Sequence, residues 1–392
     1  MNKEKLMKDI ERTLFYNDIE VGKNELEKCQ LGLTKLFIPE YDTGGVPAFK
    51  DLRQAYTHLT GDSDINGMFY PKKVSEGLRA CMSFSSSSFA FALQNALNVS
   101  LAKIYKDFPY REEILISEKK PVTNFRKISS ITLGYYEDLP DVDPETGDYQ
   151  SLQRYEDAEV QYRLSQKGSA IFITRRAVIN DAIDLINANV KRMARAARKT
   201  HARYVWEFYI NNASCSDGTS WFNLEHGNLG TDALDFTPLV TAITALANMT
   251  EPGPSLEKIG LDLATFNWHL VVPLDLWDLG VKKNQQDCYY TSNDLTSKAP
   301  NACYRLFGDH NERIVSPPFL TDANNWGVIR DKEDVPIVEM SYLFGKEDPE
   351  FLLENGPTDE HVFKGDKLGY KIRHEYGGAL VDYRGGYKSI VP

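Results

Sequence analysis

Residues Thr174 to Asn212 run without a single proline or glycine. Within that stretch apolar or small residues recur at Ile179, Ile183, Ile186, Val190, Met193, Ala197, Tyr204 and Phe208. The steps are threes and fours, with His201 filling the one gap, and that is the period of a single helical face. Thr174 is placed to act as the N-cap, and Asn211 and Asn212 end the pattern. A helix of that length spans roughly 55 Å at the α-helical rise, well beyond the usual three turns or so. Such a helix must run along something extended.

The other face of the predicted helix is charged in a graded way. Asp181 and Asp184 come early, while Lys191, Arg192, Arg195, Arg198, Lys199 and Arg203 crowd the C-terminal half. The helix dipole favours that order. The stripe reads either as an ordinary solvated face or as a docking strip for an acidic partner. An acidic segment exists in the same chain. Glu137, Asp138, Asp141, Asp143, Glu145, Asp148, Glu156, Asp157 and Glu159 are opposed only by Arg154, and Pro140, Pro144 and Gly147 mark turns. Strand-like runs flank it at 120–134 and 162–173, so the whole reads as a long hairpin with an acidic tip.

Composition excludes several function classes. The 392 residues carry a net charge of −11, which argues against a general binder of nucleic acid or anionic membrane. No window approaches the length of apolar sequence needed to span a bilayer, and the charged N-terminus lacks a signal-peptide apolar region. The five cysteines, Cys29, Cys81, Cys215, Cys288 and Cys303, form no C-x-x-C pair, so neither a disulfide framework nor a zinc site is expected. The seven histidines have no metal-ligand spacing, and no phosphate-cradling glycine loop occurs. The Asp62/Asp64 and Asp141/Asp143 pairs lack the full calcium-loop pattern. Carboxylates of the acidic segment are the only material for catalysis, as an acid pair of the glycoside-hydrolase kind. No catalytic, cofactor-binding or metal-binding residue is assigned.

Elsewhere the pattern is mixed. Residues 1–45 form a charged amphipathic arm in which Leu6, Ile10, Leu14 and Phe15 make a helical stripe limited by Asp18 and Gly22. Asp42 to Pro47 reads as a loop and the next twenty residues as a short helix stopping near Gly61. Phe89, Leu93, Leu97, Leu101 and Ile104 share one helical face, with Ser88 as its cap. Phe236 to Met249 is helical, with Leu239, Ile243 and Leu246 inward. Strands are expected at 266–273, 313–315, 326–330 and 339–344, with a short helix at 274–280. The last thirty residues read as a β-hairpin turning at Gly377-Gly378.

This order of parts resembles the major capsid proteins of tailed bacteriophages, the Hong Kong 97-type fold. Val122 to Arg126 looks like that family's lead into its extended loop. Gly168 with Ile173 to Asp181 resembles its lead into the spine helix. Asn325 to Asp331 looks like an axial-domain strand, while Gly345 to Pro349 and Tyr383 to Gly386 resemble the closing segments. The likeness covers roughly residues 50–392, and the ordered set carries it rather than any one motif. Ala55 to Gly67 is similar to the junction found where a head protease is fused upstream. Only about fifty residues precede it here, without a nucleophile constellation, so no protease is expected in them.

The resemblance implies an α+β fold with an N-terminal arm and helices at 1–119 and an extended loop at 120–173. A peripheral domain with the spine helix follows at 174–235, then an axial domain at 236–345 and a C-terminal β-hairpin at 346–392. It implies a non-enzymatic subunit that self-assembles into hexamers and pentamers around double-stranded DNA without sequence-specific binding. The other implied partners are a portal and scaffold or decoration proteins; the implied location is the virion, assembled in the host cytoplasm, with no membrane. Glu137, Asp138, Asp141, Asp143, Glu145 and Asp148 are then expected to meet Arg192, Arg195, Arg198, Lys199 and Arg203 of another subunit. The competing readings are a bacterial nanocompartment shell of the same fold, a carbohydrate-acting enzyme and a nucleic-acid binder using the basic stripe. Some family members weld subunits through a loop lysine, but residues 128–166 contain no lysine, so no such cross-link is expected.

Overall fold

Up to Asp107 every described element is a helix, and strands begin only at Ile116. The computed structural model describes residues 20–61, 87–136, 141, 154–174, 183–250, 258–259, 267–290, 297–332, 335–353 and 367–392. In chain order, helices α1 (Glu20–Phe37), α2 (Leu52–Thr60) and α3 (Ser87–Asp107) come first. Strands β1 (Ile116–Val122), β2 (Ile128–Tyr136), β3 (Arg154–Tyr162) and β4 (Ser165–Thr174) lead to the long helix α4 (Ile183–Ile210). Then come β5 (Leu229–Gly230), α5 (Phe236–Ala247), β6 (His269–Val271), α6 (Trp277–Gln285), β7 (Cys288–Tyr290), β8 (Lys298–Pro300) and β9 (Ile314–Val315). The chain closes with β10 (Trp326–Ile329), β11 (Val338–Leu343), β12 (Glu350–Leu353), β13 (Lys367–Leu380) and β14 (Gly386–Ser389).

These elements fall into two interleaved units. One takes residues 1–109, 166–198 and 347–375; the other takes 110–165, 199–346 and 376–392. These units follow contacts, whereas the five consecutive segments of the sequence reading follow the roles that the resemblance implies. Interleaving arises because α4 and β13 each contribute residues to both units.

The first unit has a helical core. Cys29, Leu33 and Phe37 of α1 are buried with Leu52, Ala55 and Leu59 of α2, Leu93, Leu97 and Leu101 of α3, and Val190 and Ala194 of α4. The spacing of four in α1 and α3 puts each set on one face. Helix α1 runs through Gly22 without a break. A helical glycine costs about 1 kcal/mol, and the buried face of α1 outweighs that. The helix therefore belongs to the core and is more than an arm; the stripe from Leu6 to Phe15 lies outside the described residues. Asp51 caps α2, its carboxylate accepting from the Gln54 N–H, and Gly61 ends it at φ 72°. Helix α3 already includes Ser87, so Ser88 is inside it and not its cap. Strand β12 is tied to α3 at both backbone groups of Phe351. Its N–H donates to Asn98 Oδ1 at 2.8 Å, and its carbonyl accepts from Gln94 Nε2 at 2.9 Å.

The second unit has two cores. In the first, Val205, Trp206 and Tyr209 of α4 pack with Ile116 of β1, Val338, Met340 and Tyr342 of β11, and Tyr376 and Leu380 of β13. Strand β1 runs parallel to β11, and β11 antiparallel to β13. In the second core, Leu239, Ile243 and Leu246 of α5 are buried with residues of a sheet ordered β5-β14-β10-β6-β9. The expected strands near 313–315, 326–330 and 339–344 are present as β9, β10 and β11.

One expectation falls outside the described residues and one fails. Thr174 is the last residue of β4 and the described part of α4 starts at Ile183, so the start of the helix and its capping by Thr174 fall on residues 175–182, outside the described residues. And the chain does not turn at Gly377-Gly378. Strand β13 passes straight through both, and β14 pairs with β10 in a different sheet. The glycines serve close approach instead. A Cβ at Gly377 would lie 2.4 Å from the Arg163 carbonyl oxygen, and one at Gly378 2.5 Å from Met340 Sδ. Glycine inside a strand marks either a turn or such an approach, and the sequence alone does not separate them.

The C-terminal end of α4 carries the carbonyls that a helix leaves unpaired. Lys388 answers them, its Nζ donating to the oxygens of Tyr209 at 3.1 Å and Ile210 at 3.4 Å. Burial pushes this ammonium down to about 8, only partly offset by Asp322.

Candidate assembly interface

The hairpin foreseen in the sequence is present, with altered arms. Strand β2 pairs antiparallel with β3, from Ile128 opposite Tyr162 to Tyr136 opposite Arg154. The return arm is thus 154–162, not 162–173. Strand β4 leaves the hairpin and pairs with β13. Gly168 permits this, because a Cβ there would lie 2.5 Å from the Ile372 carbonyl oxygen. Among the described residues β2 and β3 form a sheet of two strands only. A lone two-stranded ribbon is marginal in water, so this one needs either a firm root or a cover.

The root is built around one carboxylate. Glu339 sits in β11 with its side chain 1% exposed. Lys120 of β1 reaches its Oε2 with Nζ at 2.6 Å, Ser130 of β2 donates to the same oxygen, and the Tyr162 hydroxyl of β3 donates to Oε1. Tyr162 also lies 2.6 Å from Ser341 Oγ. One buried side chain therefore holds the strand before the hairpin and the first turn of both its arms. Burial alone raises the Glu339 carboxyl, but the three hydrogen bonds and the Lys120 charge outweigh it and hold it below the usual carboxylate range. Burial, then the bond to Glu339, pushes the Tyr162 phenol up. Such a carboxylate is stable only because it is both hydrogen-bonded and charge-paired. Sequence reasoning missed Glu339. Its signal was a lone acid in an apolar strand, Ile337-Val-Glu-Met-Ser-Tyr-Leu343.

The basic residues of α4 do not form one uniform stripe. Arg192, Arg195, Lys199 and Arg203 are exposed. Arg198 is buried at 8% exposure; its Nε donates to the Phe108 carbonyl oxygen at 3.1 Å, and its guanidinium lies over the Tyr105 ring. The expectation that Arg198 faces solvent beside the others is corrected by that burial. Arg195 lies over the Phe108 ring and Arg203 over Phe319. Stacking fixes a guanidinium while leaving its edge open to carboxylates. His201, the gap in the apolar face, is buried, with Nδ1 3.2 Å from Glu112 and Nε2 2.9 Å from the Tyr342 hydroxyl. Of the acidic residues, Asp141 is exposed; Glu137, Asp138, Asp143, Glu145 and Asp148 lie outside the described residues. Among the described residues no group of acids, histidines and cysteines is arranged to hold a metal ion, and no helix is long and apolar enough to cross a membrane.

A model of the family described as phage capsid protein matches residues 157–389, from the return arm of the hairpin to the last strand. That is more than half of the chain. The chain belongs to the phage capsid protein family. This capsid protein has the mixed helix and sheet composition expected from its sequence. No curated protein matches it. Among solved structures it is similar to the capsid of a native GTA particle, at 11% identity and a TM-score of 0.43 over 73% of this chain and 91% of that one. It is also similar to a virus-like particle from Pyrococcus furiosus, at 11% identity and 0.42 over 75% and 97%. A third similar chain, from Mycobacterium phage Patience, gives 10% and 0.43 over 77% and 88%. These overlaps are loose, and membership rests on the sequence match.

Proposed function

We propose that this capsid protein is the major shell subunit of a tailed phage, of the Hong Kong 97 type. Its copies form the hexamers and pentamers of an icosahedral head around double-stranded DNA. The observation that carries this reading is the rooted two-stranded hairpin in a chain of a capsid family. Among the described residues the ribbon has no third strand, and its tip sequence is strongly acidic, so its complement lies on another copy. The cations Arg192, Arg195, Lys199 and Arg203 offer the opposite sign to Glu137, Asp138, Asp141, Asp143, Glu145 and Asp148. Complementary charge of this kind sets register and encounter rate more than affinity. Arg198 supports the helix from within. A net charge of −11 suits a container, since a shell lining should not grip the genome. A portal and scaffold or decoration proteins complete the partners, and the chemistry is mechanical rather than catalytic.

The test is electron microscopy of the expressed protein and of particles purified from infected cells. Closed shells, tubes or sheets of hexamers are expected, with nuclease-protected double-stranded DNA in the infected-cell particles. A monomer under all assembly conditions overturns the shell. Shells filled with protein cargo and no DNA overturn the phage-head reading.

A further inference from the structure

We infer that the paired turns at the end of the β1–β11 ladder, Thr123–Ile128 and Leu343–Lys346, form a contact that docks onto an acidic surface of a second copy of this chain. The two turns lie at one end of one sheet in the second unit. Val122 pairs with Leu343, and the N–H of the next residue, Phe344, donates to the Val122 carbonyl oxygen at 2.7 Å. Each turn presents a phenylalanine to solvent: Phe344 is 63% exposed and Phe125 47%. Two exposed aromatics at one sheet end contribute little to their own subunit's core.

Phe344 is also held in the left-handed region, at φ 53°, directly before Gly345 at φ 70°. A bulky residue there is an outlier, and such strain persists where the surroundings demand it. Glycine would satisfy this backbone better, so the choice of phenylalanine is for its side chain. The turns also carry Arg126, Lys127 and Lys346 and no carboxylate between residues 123–128 and 343–346. Two exposed aromatics on turns that carry three cations fit a surface of opposite sign with apolar content. The chain as a whole, with 56 acidic and 45 basic residues, offers that sign. The contact is continuous with the root of the hairpin, since Thr123–Lys127 is the link between β1 and β2. This inference rests on the shell reading and adds the residues that anchor one copy on another.

The experiment compares wild type, Phe344→Gly, Phe344→Tyr and Arg126→Glu/Lys127→Glu for thermal stability of the subunit and for shell assembly against protein concentration. Phe344→Gly relieves the strained backbone, so its subunit melts at or above the wild-type temperature. Its threshold concentration for assembly rises roughly tenfold or more, as expected for loss of an aromatic anchor. Phe344→Tyr assembles like wild type, and the charge reversal raises the threshold in a way that added salt reduces. If wild type forms shells and Phe344→Gly forms them at the same concentration, the inference is overturned while the shell reading stands. If wild type itself forms no shell, the shell reading falls and takes the inference with it.

Discussion

Glu339 decides more at the residue scale than any group the sequence advertised. Its carboxyl is held below its ordinary value of 4.5 by Lys120, Ser130 and Tyr162, against the upward push of burial. A depressed carboxyl contributes stability that is fully present above about 4.5 and is lost as pH falls through its lower folded value. Glu339→Gln keeps the shape and removes the charge. Its acid-denaturation limb should therefore be shallower below that pH, with about 2 kcal/mol lost at neutral pH as the charged bonds become neutral ones. Most of that loss belongs to Ser130 and Tyr162, because Lys120 is 38% exposed and solvent screens its contact. Denaturant titrations of both proteins from pH 3 to 8 check this, and identical acid limbs refute it. Arg198 makes the complementary point. Side-chain spacing placed it on the charged face, and only the fold shows Phe108 and Tyr105 closing over it.

Among the elements, those with a long internal period were legible and those defined by a distant partner were not. Helices α3, α4 and α5 follow from apolar spacing because a helix satisfies its own backbone. The hairpin was legible as a reversal, from strand-like runs around proline and glycine. Its register was not, because pairing depends on which strand arrives alongside; β4 is as strand-like as β3, yet β13 takes it. The glycines of β13 misled for the same reason. The exposed cations of α4 give the element-scale prediction. Arg192→Glu with Arg195→Glu leaves the core untouched, since both side chains are exposed, so surface-like stability changes within about 0.5 kcal/mol are expected. Shell assembly should be blocked or need much higher protein concentration. Adding Arg198→Glu would confuse the test by burying an unpaired acid. Normal shells from the double variant at wild-type concentration would remove these arginines from the interface.

For the whole molecule the question is what welds one subunit to the next. Some proteins of the resembled kind form an isopeptide bond between a loop lysine and a neighbour's asparagine. That chemistry needs a deprotonated amine held against the amide. The hairpin from Ile128 to Gln166 contains no lysine, and the arginines Arg154 and Arg163 keep their protons at any working pH. Lys127, just before β2, is engaged at the root, donating to Gln161 Oε1 at 3.3 Å across the ribbon. Lys388 has an amine that sheds its proton near 8, but it is 6% exposed and faces the end of α4. Lys388 is thus closed to a neighbour, and Lys127 sits at the base of the ribbon, away from its tip. Particle strength must then come from packing, ion pairs and any added cement protein, so it should be salt-sensitive where charge carries the contact. Mature particles boiled in detergent and reductant should run as one band at the mass of a single subunit. A ladder of covalent oligomers that survives boiling would show that some lysine outside the hairpin does the welding.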